Sequence, residues 1–391
     1  MHEKQTIVLF QGQSQYNVLN GFMDELSKAF SKLGYHTEMI WLTHPDFPNQ
    51  LANVLRTQKI SFFFSFNAMA IDLRMNNQPL YDQVHIPLFA FLVDHPMYHL
   101  QRLNSGVQNL IVSCVDYDHL LFLKNYLNGH YTKAYIPHGT ACERPSVDSV
   151  DERPIDVLFS GTFHDPKAFR AQLASYPEPV VTFCEKVIER ARYELYQPLD
   201  QLALAVLEEE GMDDGYMVQS TIYQLLMQID QYVRSWRRKK VIEELVHTGL
   251  KVEVYGNGWG PLSKTIHSIS FHPAINYPEI LEKMRKSKVV LTVMPNFTSG
   301  GHERVFDAMR QGAISVVNDN QFFRDQFSPK ELMTYSFQEN VGLKIKRALS
   351  SNDALMSMVK SGQDKVVTRH SWLQRAQRIV DVAASHKFFM M

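Results

Sequence analysis

Cysteine is scarce in this chain, with three in 391 residues. Cys114, Cys142 and Cys184 are far apart and form no CxxC pair. An odd, dispersed set argues against a disulfide framework, and a cytoplasmic location is the expectation. Neither sign of charge dominates: 40 Lys and Arg face 41 Asp and Glu. No bulk field therefore draws the chain to nucleic acid or to an anionic membrane. No apolar run approaches the roughly 20 residues of a membrane-spanning helix. The N-terminus has neither the basic lead nor the apolar core of an export signal. Several motifs are missing too. There is no GxSxG, no GxxxxGK[ST] phosphate loop and no HExxH. His95 and His99 have the i,i+4 spacing of a metal pair, but Pro96 interrupts it. Asp116-Tyr117-Asp118 reads as a helix start, not as a metal–diphosphate motif. The first apolar run is followed by Gln11-Gly12-Gln13-Ser14-Gln15-Tyr16. Its single glycine lacks the GxGxxG of a dinucleotide-binding dehydrogenase. No internal repeat or low-complexity tract appears.

What the sequence has is a regular alternation. Strand-like runs at 6–10, 37–42, 60–66, 87–93, 110–113 and 134–137 are separated by helical patterns. The series restarts at 155–160, 252–255, 269–272, 289–293 and 314–317. Strands alternating with helices make parallel sheets covered on both faces. The expected fold is α/β, with two doubly wound, Rossmann-like domains facing across a cleft. The first is expected over residues 1–145 and the second over 155–367, with a polar, proline-marked linker at 142–154. A last helix at 368–391 is expected to cross back to the first domain. From about 165 to 238 the alternation stops. Segments 199–207 and 222–233 look helical there, joined by the acidic stretch 208–215, and imply a helical insertion. The basic run Arg237-Arg238-Lys239-Lys240 reads as a solvated helix face, with a donor-phosphate contact from one member as the alternative.

The most informative stretch is Asn296 to Gly312, between two strand-like runs. A two-glycine loop precedes about three turns of helix with Val305, Phe306, Ala308 and Met309 on one face. The first N–H groups of such a helix and its dipole favour an anion, phosphate above all. Ser299, Gly300 and Gly301 shape the loop, glycine permitting positive φ and close backbone approach. Arg304 can grip phosphate with its fork of donors, and His302 can add a charge or a hydrogen bond. Glu303 and Asp307 form a like-charge i,i+4 pair that Arg304 and Arg310 offset. Ser160 and Gly161 close one strand and can offer backbone donors. Gly256-Asn257-Gly258 forms a turn after another. In the first half, Asp94 and His95 follow a buried strand at its carboxyl end, where parallel sheets present catalytic groups. Either could be the general base that a hydroxyl acceptor requires. Gly12, Gln13 and His138 end other strands and are acceptor-side candidates.

The stretch Gly300-Gly301-His302-Glu303-Arg304-Val305-Phe306-Asp307-Ala308-Met309-Arg310-Gln311-Gly312-Ala313 resembles the nucleotide-binding helix of GT-B glycosyltransferases, the CgeB-like group in particular. Asp156-Val157-Leu158-Phe159-Ser160-Gly161 is similar to the first strand and loop of their donor domain. Val254-Tyr255-Gly256-Asn257-Gly258-Trp259 is similar to its middle strand and turn. Phe271-His272-Pro273 with Tyr277-Pro278-Glu279 resembles the loop beside the nucleotide base. The resemblance covers roughly 156–320. It implies transfer of a sugar from a nucleotide diphosphate-sugar to a hydroxyl of a glycan, protein, lipid or small molecule. It implies a UDP-sugar as the default donor, no other cofactor and no obligatory metal. Tyr255, His272 and Tyr277 would border the nucleotide. The family often carries two glutamates eight positions apart, the second binding ribose. Here those positions are Ser299 and Asp307, a departure that leaves stereochemistry and donor sugar open. An epimerase or hydrolase of the same fold, or a silent sugar-nucleotide-binding protein, stands as the alternative.

Overall fold

The computed structural model describes residues 4–127, 129, 131–211, 219–350 and 352–390. It divides into two compact units, Met1–Cys142 with Val367–Met391, and Glu143–Val366. Each unit contains one six-stranded sheet.

The first unit has β1 (Thr6–Gln11), β2 (His36–Trp41), β3 (Ile60–Phe66), β4 (Leu88–Leu92), β5 (Leu110–Cys114) and β6 (Thr132–Tyr135). They are parallel throughout, in the order β2-β1-β3-β4-β5-β6. The central strands are buried on both faces, which is why they read as continuous apolar runs. Alternation in β3 sends Phe62, Phe64 and Phe66 to one face and Phe63 to the other. Phe62 and Phe64 pack against Phe30 of the Val18–Lys32 helix. Phe66 and Phe91 meet Trp372, the first residue of the C-terminal helix Trp372–Met390. Phe63 stacks on Phe10 and abuts Tyr81. The sixth strand lies two residues earlier than its apolar run suggests. Pro137 has no N–H to give a ladder, so pairing ends near Tyr135 and Ile136.

The second unit has β7 (Ile155–Ser160), β8 (Val252–Tyr255), β9 (Ile269–His272), β10 (Ser287–Thr292), β11 (Ile314–Asn318) and β12 (Met333–Tyr335). These are parallel in the order β9-β8-β7-β10-β11-β12. The three-residue edge strand β12 is not evident in the sequence pattern. Among the described residues of the stretch 165–238, the structure makes four helices: Pro166–Leu173, Glu178–Ala191, Leu199–Glu209 and Gln219–Leu245. The sequence pattern suggests only the last two. The Glu178–Ala191 helix buries Phe183, Cys184, Val187, Ile188 and Ala191, a helical stripe. Of the acidic connection 208–215, residues 212–215 lie outside the described residues. The unit boundary falls at 142/143, ahead of the proline-marked linker. Glu143 and Pro145 are tied into the second unit, their carbonyls accepting from Arg310 and Gln363 at 3.4 and 3.1 Å.

Candidate functional site

In the second unit the carboxyl ends of β7, β8 and β10 carry the loops singled out by sequence. The Glu303–Arg310 helix follows β10, with His302 at its N-cap in extended conformation. Val305, Phe306, Ala308 and Met309 are buried, so the helix lies with its N-terminus fixed by its apolar face. At Gly301 glycine is favoured by space, not by positive φ. A Cβ there would lie 2.6 Å from the Phe322 ring and 2.7 Å from that of Phe306. Asn320, a residue the sequence reading passed over, pins this loop. Fully buried, it donates to the carbonyls of Phe297 and Gly300 at 3.0 and 2.8 Å, and accepts from the Phe323 N–H at 3.0 Å. Ser299 lies half-buried between those two carbonyls.

The His302 imidazole Nδ1 is 2.7 Å from the Glu303 carboxylate and 3.3 Å from the Arg304 N–H. One nitrogen cannot donate to the first and accept from the second in the same tautomer. The shorter, charge-assisted contact governs, placing the proton on Nδ1. Burial lowers the His302 pKa, with Glu303 opposing and Arg304 and Arg234 assisting.

Around this helix start the structure gathers guanidinium groups. Burial lowers the Arg304 pKa; Glu303 and Asp307 oppose the shift and Arg234 adds to it. Arg238 is held well below the usual arginine range by burial, then by Arg234 and Arg304. It donates to the Thr162 carbonyl and lies alongside Gly161. Arg234 donates to Asp230 at 3.1 Å one turn away. Arg237 is committed to structure. It donates to the carbonyls of Ala191, Arg192 and Glu194 and to Asn296 Oδ1, and lies over the Phe337 ring. The basic run is therefore not a solvated face at Arg237 and Arg238, which are 3% and 8% exposed. The Gln219–Leu245 helix enters the core there, with Val241, Ile242 and Leu245 in the hydrophobic cluster. Burial of a charge run depends on what packs over it, and nothing local in the sequence signals that.

The Gly256–Gly258 turn supports the Ser160–Gly161 loop. Both glycines have positive φ, and a Cβ on either would collide with the carbonyl of Gly161 or of Phe163. The Gly161 N–H donates to the Tyr255 carbonyl at 2.9 Å, and Trp259 Nε1 to the Gly161 carbonyl at 2.8 Å. The Phe163 N–H donates to the Asn257 carbonyl at 2.9 Å. Tyr255 is already stacked on His272, 4.5 Å between centroids, with Lys283 near its ring and its hydroxyl donating to Glu253 at 2.8 Å. Asp307 is buried, and Tyr277 donates to its Oδ2 at 2.7 Å. Burial raises the Tyr277 pKa well above the usual phenol range, with Asp307 adding to it.

In the first unit Gly12, Asn67 and Asp94 follow neighbouring strands β1, β3 and β4 at their carboxyl ends. Gln13 and Asp94 are exposed. Asn67 Nδ2 donates to Asp94 Oδ2 at 3.1 Å. His95 is drawn inward: its Nδ1 accepts from the Met97 N–H at 3.1 Å, and its ring packs on His119 and Phe122. The pair thus divides into an exposed carboxylate and a capping imidazole. His138 is 1% exposed, edge-on to Phe22, its carbonyl accepting from Arg375 at 2.9 Å. Asp116 Oδ1 accepts from the Asp118 N–H at 2.8 Å, as expected of a helix start. Among the described residues no group of three or more His, Cys, Asp or Glu is placed to hold a metal ion. None of their helices is long and apolar enough to cross a membrane.

Comparison with known proteins bears on this geometry. Residues 234–381 match the family model described as "Glycosyl transferase-like". No curated protein sequence matches the chain significantly. Among solved structures, an alpha-glucosyltransferase in complex with UDP and a 13-mer DNA is similar over 97% of this chain and 100% of its own. Its TM-score is 0.56 at 12% identity. Sucrose-phosphate synthase from Thermosynechococcus elongatus is similar over 98% and 99%, with TM-score 0.53 at 13% identity. Anabaena HepE in complex with UDP and glucose covers 97% and 100%, with TM-score 0.51 at 10% identity. At such identities the likeness establishes the fold. Residues 234–381 thus form a glycosyl transferase-like region, in a chain with the two parallel-sheet domains of the GT-B glycosyltransferases.

Proposed function

We propose that the protein transfers a sugar from a nucleotide diphosphate-sugar, UDP-sugar by default, to a hydroxyl acceptor without an obligatory metal. The observation that carries this reading is the gathering of Arg234, Arg238 and Arg304 at the N-terminus of the Glu303–Arg310 helix. Burial and mutual repulsion depress the pKa of Arg238 and of Arg304. Asp230, Glu303 and Asp307 offset part of this repulsion, and a bound polyanion would offset more. A diphosphate supplies two to three negative charges at the place where helix N–H groups also point. In the reaction the acceptor oxygen bonds to the anomeric carbon and the bond from that carbon to the diphosphate oxygen breaks. The departing charge develops against preorganised donors, the arrangement that lowers such barriers most. Asp94 takes the acceptor proton. Tyr277 and Asp307 together, as a hydroxyl–carboxylate pair, border the ribose. The CgeB-like group is the subgroup to which this reading assigns the chain.

A second reading, nucleotide-sugar binding without turnover, has one observation in its favour. Serine replaces the first glutamate of the family pair, and the second position is a buried Asp307 already engaged by Tyr277. An epimerase or hydrolase of the same fold differs by needing no acceptor. The test is a thermal-shift panel of UDP, GDP, TDP, CDP and ADP, with and without magnesium, on wild type and Arg304→Ala. It is followed by donor turnover with and without candidate acceptors. A shift with one diphosphate, indifferent to magnesium and lost in the variant, is expected. Turnover should be accelerated by acceptor. A folded protein unmoved by every diphosphate would overturn the nucleotide-sugar reading. Binding without turnover would establish the silent one, and acceptor-independent turnover the epimerase or hydrolase.

A further inference from the structure

We infer that Asn67 is a positioning residue that fixes the Asp94 carboxylate toward an acceptor hydroxyl, and that the strained Asn67–Ala68 backbone serves this purpose. The inference rests on the reading of Asp94 as general base.

Two consecutive non-glycine residues, Asn67 at φ 50° and Ala68 at φ 54°, adopt left-handed backbone immediately after the central strand β3. Asparagine tolerates that region; alanine rarely enters it, and a buried alanine there needs compensation. Strain of this kind persists only where surrounding bonds over-determine it, and it concentrates at functional sites. The bonds are present. The Asn67 N–H donates to the Phe91 carbonyl at 2.8 Å, and its own carbonyl accepts from Arg102 Nη1 at 2.8 Å. The side-chain amide is used at both ends. Oδ1 accepts from the Val93 N–H at 2.9 Å, and Nδ2 donates to Asp94 Oδ2 at 3.1 Å. One buried amide therefore sets both the backbone entering Asp94 and one oxygen of its carboxylate. Asp94 itself is exposed, so the carboxylate remains open to a hydroxyl. Left-handed backbone turns the chain back so that the residue after β3 reaches the end of β4; an extended residue 67 would carry the amide onward. The same loop continues to Met69, whose Sδ would lie 3.2 Å from a Cβ on Gly12. The loop thus joins the carboxyl ends of β1, β3 and β4, which carry the acceptor-side candidate Gly12 and the candidate base Asp94.

The other titratable and charged groups near Asp94 are His95, His99 and Arg102. His95 caps the Pro96–Tyr98 turn. His99 is held down to about 4 by burial, with Asp94 opposing and Arg102 assisting, so it is neutral at working pH. Arg102 is spent on the Asn67 carbonyl. The neutral amide is the hydrogen-bond donor that the structure places on the carboxylate.

The experiment compares Asn67→Asp and Asn67→Gly with wild type and Asp94→Asn. Asn67→Asp keeps the shape, the tolerance for left-handed backbone and the acceptor for Val93, but sets a carboxylate against Asp94. A like charge at hydrogen-bond distance favours protonation. The acid limb of kcat/KM is expected to rise by about a unit or more. kcat at neutral pH should fall about tenfold or more as the carboxylate is misplaced. KM for the donor should stay within twofold. Asn67→Gly keeps the backbone and loses the amide. It should lower kcat similarly with a smaller movement of the limb, so the test survives if the aspartate variant fails to fold. An inert Asp94→Asn beside variants with wild-type kcat and an unmoved limb overturns the positioning role. Wild-type turnover in Asp94→Asn overturns the base reading instead. In that case the Asp94 carboxyl titration, followed by NMR in wild type and Asn67→Asp, decides positioning by itself: an unmoved midpoint overturns it.

Discussion

At the scale of single residues, burial holds several groups of this chain away from their ordinary ionisation. His99 is the case with a measurable consequence. Burial lowers its pKa from 6.5 to about 4, although Asp94 opposes the shift. A histidine with a depressed folded pKa contributes stability that is complete above the unfolded pKa and is lost as pH falls. The unfolded chain binds the extra proton between pH 6.5 and about 4, so stability must fall across that window by at most about 3 kcal/mol from this group. His119, pushed well below its ordinary value by burial and then by His95, acts in the same direction. The measurement is the urea midpoint of the protein at pH 7, 6, 5 and 4. His99→Leu should flatten the acid decline; a decline identical to wild type would show that the imidazole is not the source. Residue-scale legibility was uneven. The place of Arg304 at a helix start was readable, because two glycines precede it and an apolar helical face follows. Arg238 and Asn320 were not. A buried arginine inside a charge run and an asparagine two residues after a strand have ordinary surface readings until the packing is known.

Elements were far easier to read. Central parallel strands are buried on both faces, so β1, β3, β4, β7 and β11 stand out as mainly apolar runs. The edge strands β6 and β12 are short and paired on one side only, which is why β12 does not stand out and the apolar run places β6 two residues late. The glycines of the second unit show how an element's fit can be tested. Gly256 has φ 152° and faces the Gly161 carbonyl so closely that any Cβ must push backbone aside. Gly301 meets two aromatic rings instead, at 2.6 and 2.7 Å. Rings can shift where a carbonyl held by Trp259 cannot. Gly256→Ala is therefore expected to cost more stability than Gly301→Ala, by about 1–3 kcal/mol. It should also weaken nucleotide binding, because the displaced segment is the Ser160–Gly161 loop beside Arg238. Denaturant melts with and without the preferred diphosphate separate the two effects. Equal costs for the two variants, or a Gly256→Ala protein with undiminished diphosphate affinity, would refute the supporting role assigned to the turn.

At the scale of the whole molecule, the chain closes its first unit with its last residues. The expectation of a C-terminal helix returning to the first domain came from the fold family; composition does not dictate it. The structure gives the physical ground. Trp372 is buried among Phe22, Phe66 and Phe91, with centroid separations of 5.2, 6.1 and 6.1 Å. Its N–H donates to the Thr140 carbonyl at 2.8 Å, and the Thr140 N–H donates to the His370 carbonyl at 2.9 Å. Near the far end of the helix, the His386 ring nitrogens meet Thr132 Oγ1 and Asn109 Oδ1 at 2.7 and 2.9 Å. The aromatic face made by β3, β4 and the Val18–Lys32 helix is thus completed by residues more than 200 positions away. Truncation of such a side chain costs about 3–5 kcal/mol, a large part of the stability of a domain this size. Two compact units with separate cores should melt as two transitions, since multidomain chains depart from two-state behaviour. Trp372→Ala is expected to lower one transition by several degrees, and a chain ending at Arg369 to lose it. In both variants the other transition should remain and should still rise with the diphosphate that stabilises wild type. Differential scanning calorimetry with and without that ligand reads both outcomes. If Trp372→Ala lowered the ligand-responsive transition instead, or neither, the C-terminal helix would not be the closing element of the first unit, and the division of the chain would need to be redrawn.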